Sequence, residues 1–474
     1  MRKSGILMHI SSLPGEYSCG SFGKEAYKFI DLLKGCGFGV WQTLPFGMPD
    51  IYGSPYKSYS AFAGNPWFID LESLFEKGLI SKADLDGARQ KDKWLCEFDR
   101  FDERLELLFK AAKNADCDEE IEGFLKENPD IDAFCRFMAT KSANNGCELW
   151  DFDPAIQMDA EVYRAHAFIQ YEFDRQWQRL KAYANENGVL IIGDLPIYVD
   201  TDSADVWANP KNFQIDERKR PKRVAGVPPD YFSEDGQLWG NPLYDWDYMK
   251  KEGYGFWKRR IARSMHLFDG VRIDHFRAFS DYFSIDADAK TAKEGKWVKG
   301  PGLPLIKALK EIAGDKLIIA EDLGVQDERV IKLLERSGLP GMRVFQFAFL
   351  DGDDHHRPHS YPKNCVAYTG THDNNTLLGY LWELDDETRR YMLDYCGYEG
   401  DWKQALPAMI KTVLRSHSDL VIMPIQDVLG FGEDTRMNTP GCASGNWRYR
   451  VAGEQLDRID MAYWSGLMTA FSRK

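Results

Sequence analysis

Long apolar runs are missing from this 474-residue chain. None approaches the ~18 consecutive apolar residues that a membrane span requires. The basic start at Arg2 and Lys3 leads into too few apolar residues for a secretory h-region of roughly 7–15. A cytoplasmic location without membrane contact is therefore expected. Cysteine is sparse and unpatterned: nine residues, an odd count, with no C-x-x-C pair. That usage suits reduced thiols serving mostly as small core fillers. Positive charge is in deficit, 60 Lys and Arg against 74 Asp and Glu, for a net charge of −14. Nucleic-acid binders carry a cationic surplus on one face, so no nucleic-acid partner is expected. The basic cluster Arg218–Arg223 follows the acidic pair Asp216 and Glu217 and reads as a solvated hairpin turn. No sequence repeat of solenoid period is present. What the chain does have is 44% hydrophobic and 14% aromatic residues, which excludes disorder and points to a globular enzyme.

Eight short apolar runs punctuate the sequence. They are Gly5 to His9, Val40 to Leu44, Val189 to Asp194, Phe268 to Asp274, Leu317 to Glu321, Met342 to Phe347, Val366 to His372 and Leu420 to Pro424. Near-continuous apolar character, rather than strict alternation, suits strands of a parallel sheet buried on both faces. Helical patterns lie between many of them, over Phe22 to Leu33, Tyr163 to Glu186, Pro304 to Ile312 and Asp327 to Arg336. Strand and helix alternating eight times predict a (β/α)8 TIM barrel, an α/β fold, in a single catalytic domain over residues 1–474. The spacing is uneven. The interval 48–187 is far longer than one crossover needs, and its part 82–150 reads as a mainly helical insertion. A second long connection, 198–257, is rich in Pro, Gly and aromatics and reads as a substrate-binding loop subdomain.

Functional groups of such a barrel sit at the carboxyl ends of its strands. Four carboxylates fall there: Asp194, Asp274, Glu321 and Asp373. Arg272 lies two residues before Asp274, so period-two alternation places both on one side of their strand. His372 precedes Asp373 and His275 follows Asp274. A single strand-end Asp is commonly a helix cap; four together with an Arg and two His are a site. Two chemistries use converging carboxylates. Glycoside chemistry takes one as nucleophile and a second, protonated, as acid, about 5–5.5 Å apart for retention. Metal catalysis, as in a lyase or isomerase, would use Asp194, Asp274 and Glu321 as ligands with a Lys or His base. The second and sixth runs offer no lysine, although a histidine can serve. Aromatic loop segments favour the sugar reading: Trp239 to Trp246 with Tyr231 and Phe232, and Tyr52 to Tyr59, present flat faces beside amides and hydroxyls.

The strand-end segments Gly270 to His275, Ala320 to Gly324 and Thr371 to Asn374 resemble short regions of the α-amylase clan. Beyond them, Ser54 to Pro66, Val224 to Trp246 and Arg436 to Gly441 resemble the amylomaltase, or 4-α-glucanotransferase, family over nearly the whole chain. The resemblance implies a barrel with inserted subdomains and no separate C-terminal β-domain. It implies a glycosyltransferase that moves α-1,4-glucan segments by retaining double displacement. The partners so implied are malto-oligosaccharides, glucose and longer α-1,4-glucans.

Carried over position by position, the resemblance makes Asp274 the nucleophile, Glu321 the general acid/base and Asp373 the carboxylate that orients the sugar. Arg272 and His372 would bind the reacting glucose, and Arg272 would keep Asp274 ionised. Asp194, Tyr56 and Ser54 would line the same subsite. Asp230, Gln237, Trp239, His275 and Asn438 would contact neighbouring sugars, and 226–246 would act as a lid against water. The third strand continues Asp194 to Asp200 without the Asn-His pair of amylases, so neither a structural metal nor a cofactor is expected. A hydrolase of the same chains and a non-catalytic glucan-binding protein are the competing readings.

Overall fold

The computed structural model describes residues 2–474 except 50–52, 230–233, 325–326, 350–353 and 443. Asp230, Tyr231, Phe232 and Tyr52, singled out above, lie outside the described residues. Twelve strands occur in chain order among those described: β1 Lys3–Leu7, β2 Val40–Gln42, β3 Leu190–Leu195, β4 Arg223–Val227, β5 Gln237–Pro242, β6 Gly270–Ile273, β7 Asp281–Asp286, β8 Lys296–Lys299, β9 Leu317–Ala320, β10 Gly341–Val344, β11 Cys365–Tyr368 and β12 Leu420–Pro424.

Eight of these form one parallel sheet in the order β10-β11-β12-β1-β2-β3-β6-β9. Each strand thus neighbours the next in the chain, which is the winding of a TIM-type barrel. The Ala320 N–H donates to Pro340 O at 2.9 Å, joining the two ends of the sheet. The eight expected apolar runs are these eight strands. Their side chains are buried almost throughout, because one set fills the barrel and the other meets the helices outside. Gly193 in β3 is required by that packing: a Cβ there would stand 2.2 Å from the Phe268 ring.

The outer helices follow from period and caps. Lys24–Cys36 buries Ala26, Phe29, Ile30, Leu33 and Cys36, one apolar stripe, and ends at Gly37 with φ 80°. Burying Phe29, Ile30 and Leu33 contributes roughly 1.5–3 kcal/mol each. Glu328–Ser337 starts where the Asp327 carboxylate accepts the N–H groups of Arg329 and Val330. The helix expected from Tyr163 runs Ala160–Glu186, its start fixed by the Asp159 cap. Helices Lys82–Gly87, Phe101–Asn114, Asp118–Glu127 and Pro129–Ala143 occupy the long interval after β2.

The connection 198–257 differs from the expected loop. Strands β4 and β5 pair antiparallel, and β7 and β8 extend them into a second sheet of order β5-β4-β7-β8. Ala225 and Tyr282 face the main core, while Val224, Phe283, Ile285 and Ala292 pack as a small cluster of their own. β4 and β5 carry Gly226, Gly240 and Pro242, and β8 has only four residues with two lysines, so no periodic pattern announces those three. The basic cluster does form a turn: Lys219 N–H donates to Asp216 O, and Ile215 bridges Pro221. All nine cysteines are free thiols, six of them buried.

Candidate active site

The ladder between β3, β6 and β9 continues past the strand ends and fixes the first carboxylates. Asp274 N–H donates to Leu195 O, Glu321 N–H to Ile273 O, and Phe276 N–H to Glu321 O, each at 3.0 Å. His275 takes the left-handed conformation, φ 51°. That kink aims its N–H at Glu321, whose Oε2 accepts it at 2.7 Å while Oε1 accepts the Leu323 N–H at 2.7 Å. Glu321 is therefore held by four main-chain bonds beside the residue that follows Asp274.

Arg272 sits opposite Asp194 in the β3–β6 register and is 3% exposed. Its guanidinium bridges two carboxylates, Nη1 to Asp194 Oδ2 at 2.5 Å and Nη2 to Asp274 Oδ1 at 2.8 Å. Such charge-assisted bonds are about twice as strong as neutral ones. The Tyr56 hydroxyl donates to Asp194 Oδ2 at 2.7 Å and lies 2.9 Å from His372 Nε2. A hydroxyl has one proton, so with that proton on Asp194 the tyrosine oxygen accepts from the imidazole. The two rings stack at 5.3 Å with 17° between their planes. His372 Nε2 is also 3.3 Å from Asp373 Oδ2, and Asn438 Nδ2 donates to Asp373 Oδ1 at 2.6 Å. Arg436 Nη2 holds the Asp373 carbonyl at 2.7 Å.

Part of this set lines a cleft of about 530 Å³, within the ~300–1,000 Å³ of ordinary ligand sites. Its wall carries Ser54, Tyr56, Trp239, Asp274, His372, Asp373 and Asn438 from the expected set. Arg272, Glu321, His275 and Gln237 are not on that wall, and neither is Asp194. Its side chain is fully buried behind Tyr56 and Arg272, and its Oδ1 has no hydrogen-bond partner among the described residues. Gln237 Oε1 accepts the Trp239 indole N–H at 3.0 Å. The same indole meets the His275 ring edge-on at 5.0 Å.

The electrostatics separate the carboxylates. Burial pushes the Glu321 carboxyl up to about 8, and the Asp274 charge adds to the rise, against Arg272 and the two backbone N–H groups. Burial leads here, ahead of the neighbouring charge that the sequence suggests. Burial likewise raises Asp194, opposed by Arg272, and lifts the Tyr56 phenol well above its ordinary range. His275 is pushed down to about 4 by burial, so it is a neutral ring near neutral pH.

The sequence reading missed several wall residues. Trp447, 8% exposed, contacts both the Tyr56 and His372 rings. It follows Asn446 in a Gly-rich stretch and has φ 68°, a strained aromatic in the loop that begins with Arg436. Tyr198, Asp200 and Asn241 also line the cleft. Among the described residues no cluster of three or more His, Cys, Asp or Glu side chains could hold a metal ion. No helix among them is long and apolar enough to cross a membrane.

A sequence profile of the 4-alpha-glucanotransferase family matches residues 8–456. The 4-alpha-glucanotransferase of Streptococcus pneumoniae is 45% identical over 477 residues, covering 96% of this chain and 94% of that protein. The enzyme of Thermus thermophilus is 43% identical, with 96% of each chain covered. The amylomaltase of Streptococcus agalactiae, solved in complex with acarbose, superposes with a TM-score of 0.95 at 38% identity, all of both chains covered. The amylomaltase of Corynebacterium glutamicum shares the fold at a TM-score of 0.83 and 18% identity, covering 100% of this chain and 75% of that one. The chain belongs to the 4-alpha-glucanotransferase (amylomaltase) family and is an enzyme of that kind.

Proposed function

We propose that the protein transfers α-1,4-glucan segments from a donor malto-oligosaccharide to the 4-hydroxyl of an acceptor sugar by retaining double displacement. The observation that carries this reading is the pair of unlike carboxylates. Asp274 is ion-paired to Arg272, whereas Glu321 is pushed up to about 8. Two adjacent carboxyl groups in opposed environments are the acid and nucleophile of a retaining glycosidase.

Asp274 attacks the anomeric carbon of the donor, and the C1–O bond breaks as Glu321 gives its proton to the leaving 4-oxygen. Glu321, now a carboxylate, takes the proton of the acceptor's 4-hydroxyl. That oxygen attacks C1 and releases Asp274. Asp373, held by Asn438, orients the sugar's hydroxyls with His372. Arg272 occupies the place a divalent cation would take between Asp194 and Asp274, which weighs against the metal reading. Trp239 and Gln237 on β5 offer the aromatic face and amide for acceptor sugars, with the β4–β5 hairpin as the lid that favours acceptor over water. Residues 1–474 act as one catalytic domain, with β5 of the second sheet on the cleft wall. The acarbose bound by the Streptococcus agalactiae relative supports a malto-oligosaccharide as occupant.

Incubation with maltotriose in the presence of chelator tests the reading. A ladder of shorter and longer glucans at constant total reducing ends is expected. Rising reducing ends with only shorter products would make the protein a hydrolase. No change would sink both.

A further inference from the structure

The loop that carries His372 and Asp373 leaves β11 at Thr369 and ends where helix Leu377–Glu383 begins. Both of its ends meet one side chain from a different strand. Asp427, in the short helix Ile425–Leu429 directly after β12, accepts the Thr369 hydroxyl on Oδ2 at 2.5 Å. Its Oδ1 accepts the Leu377 N–H at 2.7 Å. Thr369 and Leu377 are completely buried and Asp427 is 1% exposed. The carboxylate spans the base of the seven-residue loop as a clasp, although it lies outside the cleft wall and touches no residue of the catalytic set.

The rest of the loop leans on this base. Thr371 donates through its N–H and hydroxyl to Asn374 Oδ1, the Asp373 N–H donates to Thr371 Oγ1, and Gln346 Nε2 holds the Asn375 carbonyl. These bonds shape the loop internally or at one point. From the far side, Arg436 and Asn438 hold Asp373 and the Asn438 N–H donates to His372 O at 3.1 Å; Asp427 is the side chain that bonds both ends of the loop. A carboxylate buried with a hydroxyl and an amide as its partners among the described residues costs stability, and burial pushes Asp427 up to about 6. An apolar residue would fill the position at lower cost unless the two bonds themselves matter.

We infer that Asp427, with Thr369, is a positioning residue for the transfer reaction, setting the height at which Asp373 and His372 meet the reacting sugar. The inference rests on the role proposed for Asp373. A positioned group misplaced by about 1 Å costs on the order of 100-fold in rate, so the effect falls on kcat rather than on donor binding.

Steady-state disproportionation of maltotriose, with thermal unfolding measured alongside, tests it. Thr369→Val removes the hydroxyl at nearly constant volume and should lower kcat about tenfold, a part of the ~100-fold that full misplacement of a positioned group costs. KM should stay within about twofold, because a positioned group acts in the transition state. Asp427→Ala should lose on the order of 100-fold. Asp427→Asn keeps an acceptor for Leu377 and a donor for Thr369, and should restore kcat to within about threefold of the parent. In an Asp373→Asn background, Thr369→Val should cost less than about twofold more, since residues acting through one another are not additive. The inference is overturned if Thr369→Val lowers the unfolding temperature while kcat is kept, or if its full loss persists without Asp373. If Asp427→Ala does not fold, Thr369→Val decides alone. An Asp373→Asn protein as active as the parent would overturn the proposed role of Asp373 instead.

Discussion

The acid role proposed for Glu321 requires that it keep its proton, and its carboxyl is pushed up to about 8. At pH 7 about nine-tenths of the molecules then hold the proton, and at pH 9 about one-tenth. The kcat/KM for maltotriose should therefore be nearly flat from pH 6 to 7.5, bend near 8 and fall roughly tenfold per unit above it. Glu321→Gln should abolish this limb and cost 10²–10⁴-fold with the natural donor. With an aryl glucoside whose leaving group needs no proton, formation of the glucosyl-enzyme should survive in that variant. Stability carries the same signature. A carboxyl raised from 4.5 to about 8 by folding favours the native state below 4.5, and that contribution is lost as pH rises through 8. Its ceiling is roughly 5 kcal/mol, one pKa unit being about 1.4. Relative to Glu321→Gln, the parent should thus lose urea resistance steadily between pH 5 and 8.5. A profile without an alkaline limb, or one that Glu321→Gln leaves in place, would refute the assignment of the acid.

Arg272→Lys should be far from conservative, because an ammonium cannot hold Asp194 and Asp274 in the fork that the guanidinium provides. Turnover should fall at least 100-fold, and urea unfolding should show a loss approaching the ~3–5 kcal/mol of a broken buried pair. Tyr56→Phe removes the proton on Asp194 and the oxygen facing His372. Donor turnover should drop about 10–100-fold, and urea unfolding should show the ~1–3 kcal/mol of a lost buried partner. Trp239→Ala strips the exposed face of the β4–β5 hairpin at the cleft. Reducing-end release should then rise severalfold relative to the maltotriose ladder; an unchanged ratio would remove the hairpin from acceptor selection.

What was legible in the sequence and what was not divide along physical lines. A strand buried on both faces has to be apolar throughout, so Leu190–Leu195, Leu317–Ala320 and Leu420–Pro424 announce themselves without any partner being known. A barrel places chemistry where such runs stop, which is why Asp274 and Glu321 stand out as candidates from position alone. The run expected through His372 shows the limit. Its ladder stops at Tyr368, and the hydroxyl of the next residue, Thr369, is taken by Asp427, a residue 58 positions away. Nothing local to either residue encodes that bond. The second sheet fails to show for the same reason: Gly226 and Leu238 pair across a bulged hairpin whose stability comes from Phe283 and Ile285, more than 40 residues later. Trp447, Arg436 and Asn438 reach the site in the loop after β12, from the far end of the chain, by closure of the barrel. In a fold of this kind the reacting groups are local facts of strand ends. Their exact placement is a non-local one, set by clasps such as Asp427 and Arg272 that only the folded ring brings within reach, and the residues most worth mutating next are those clasps.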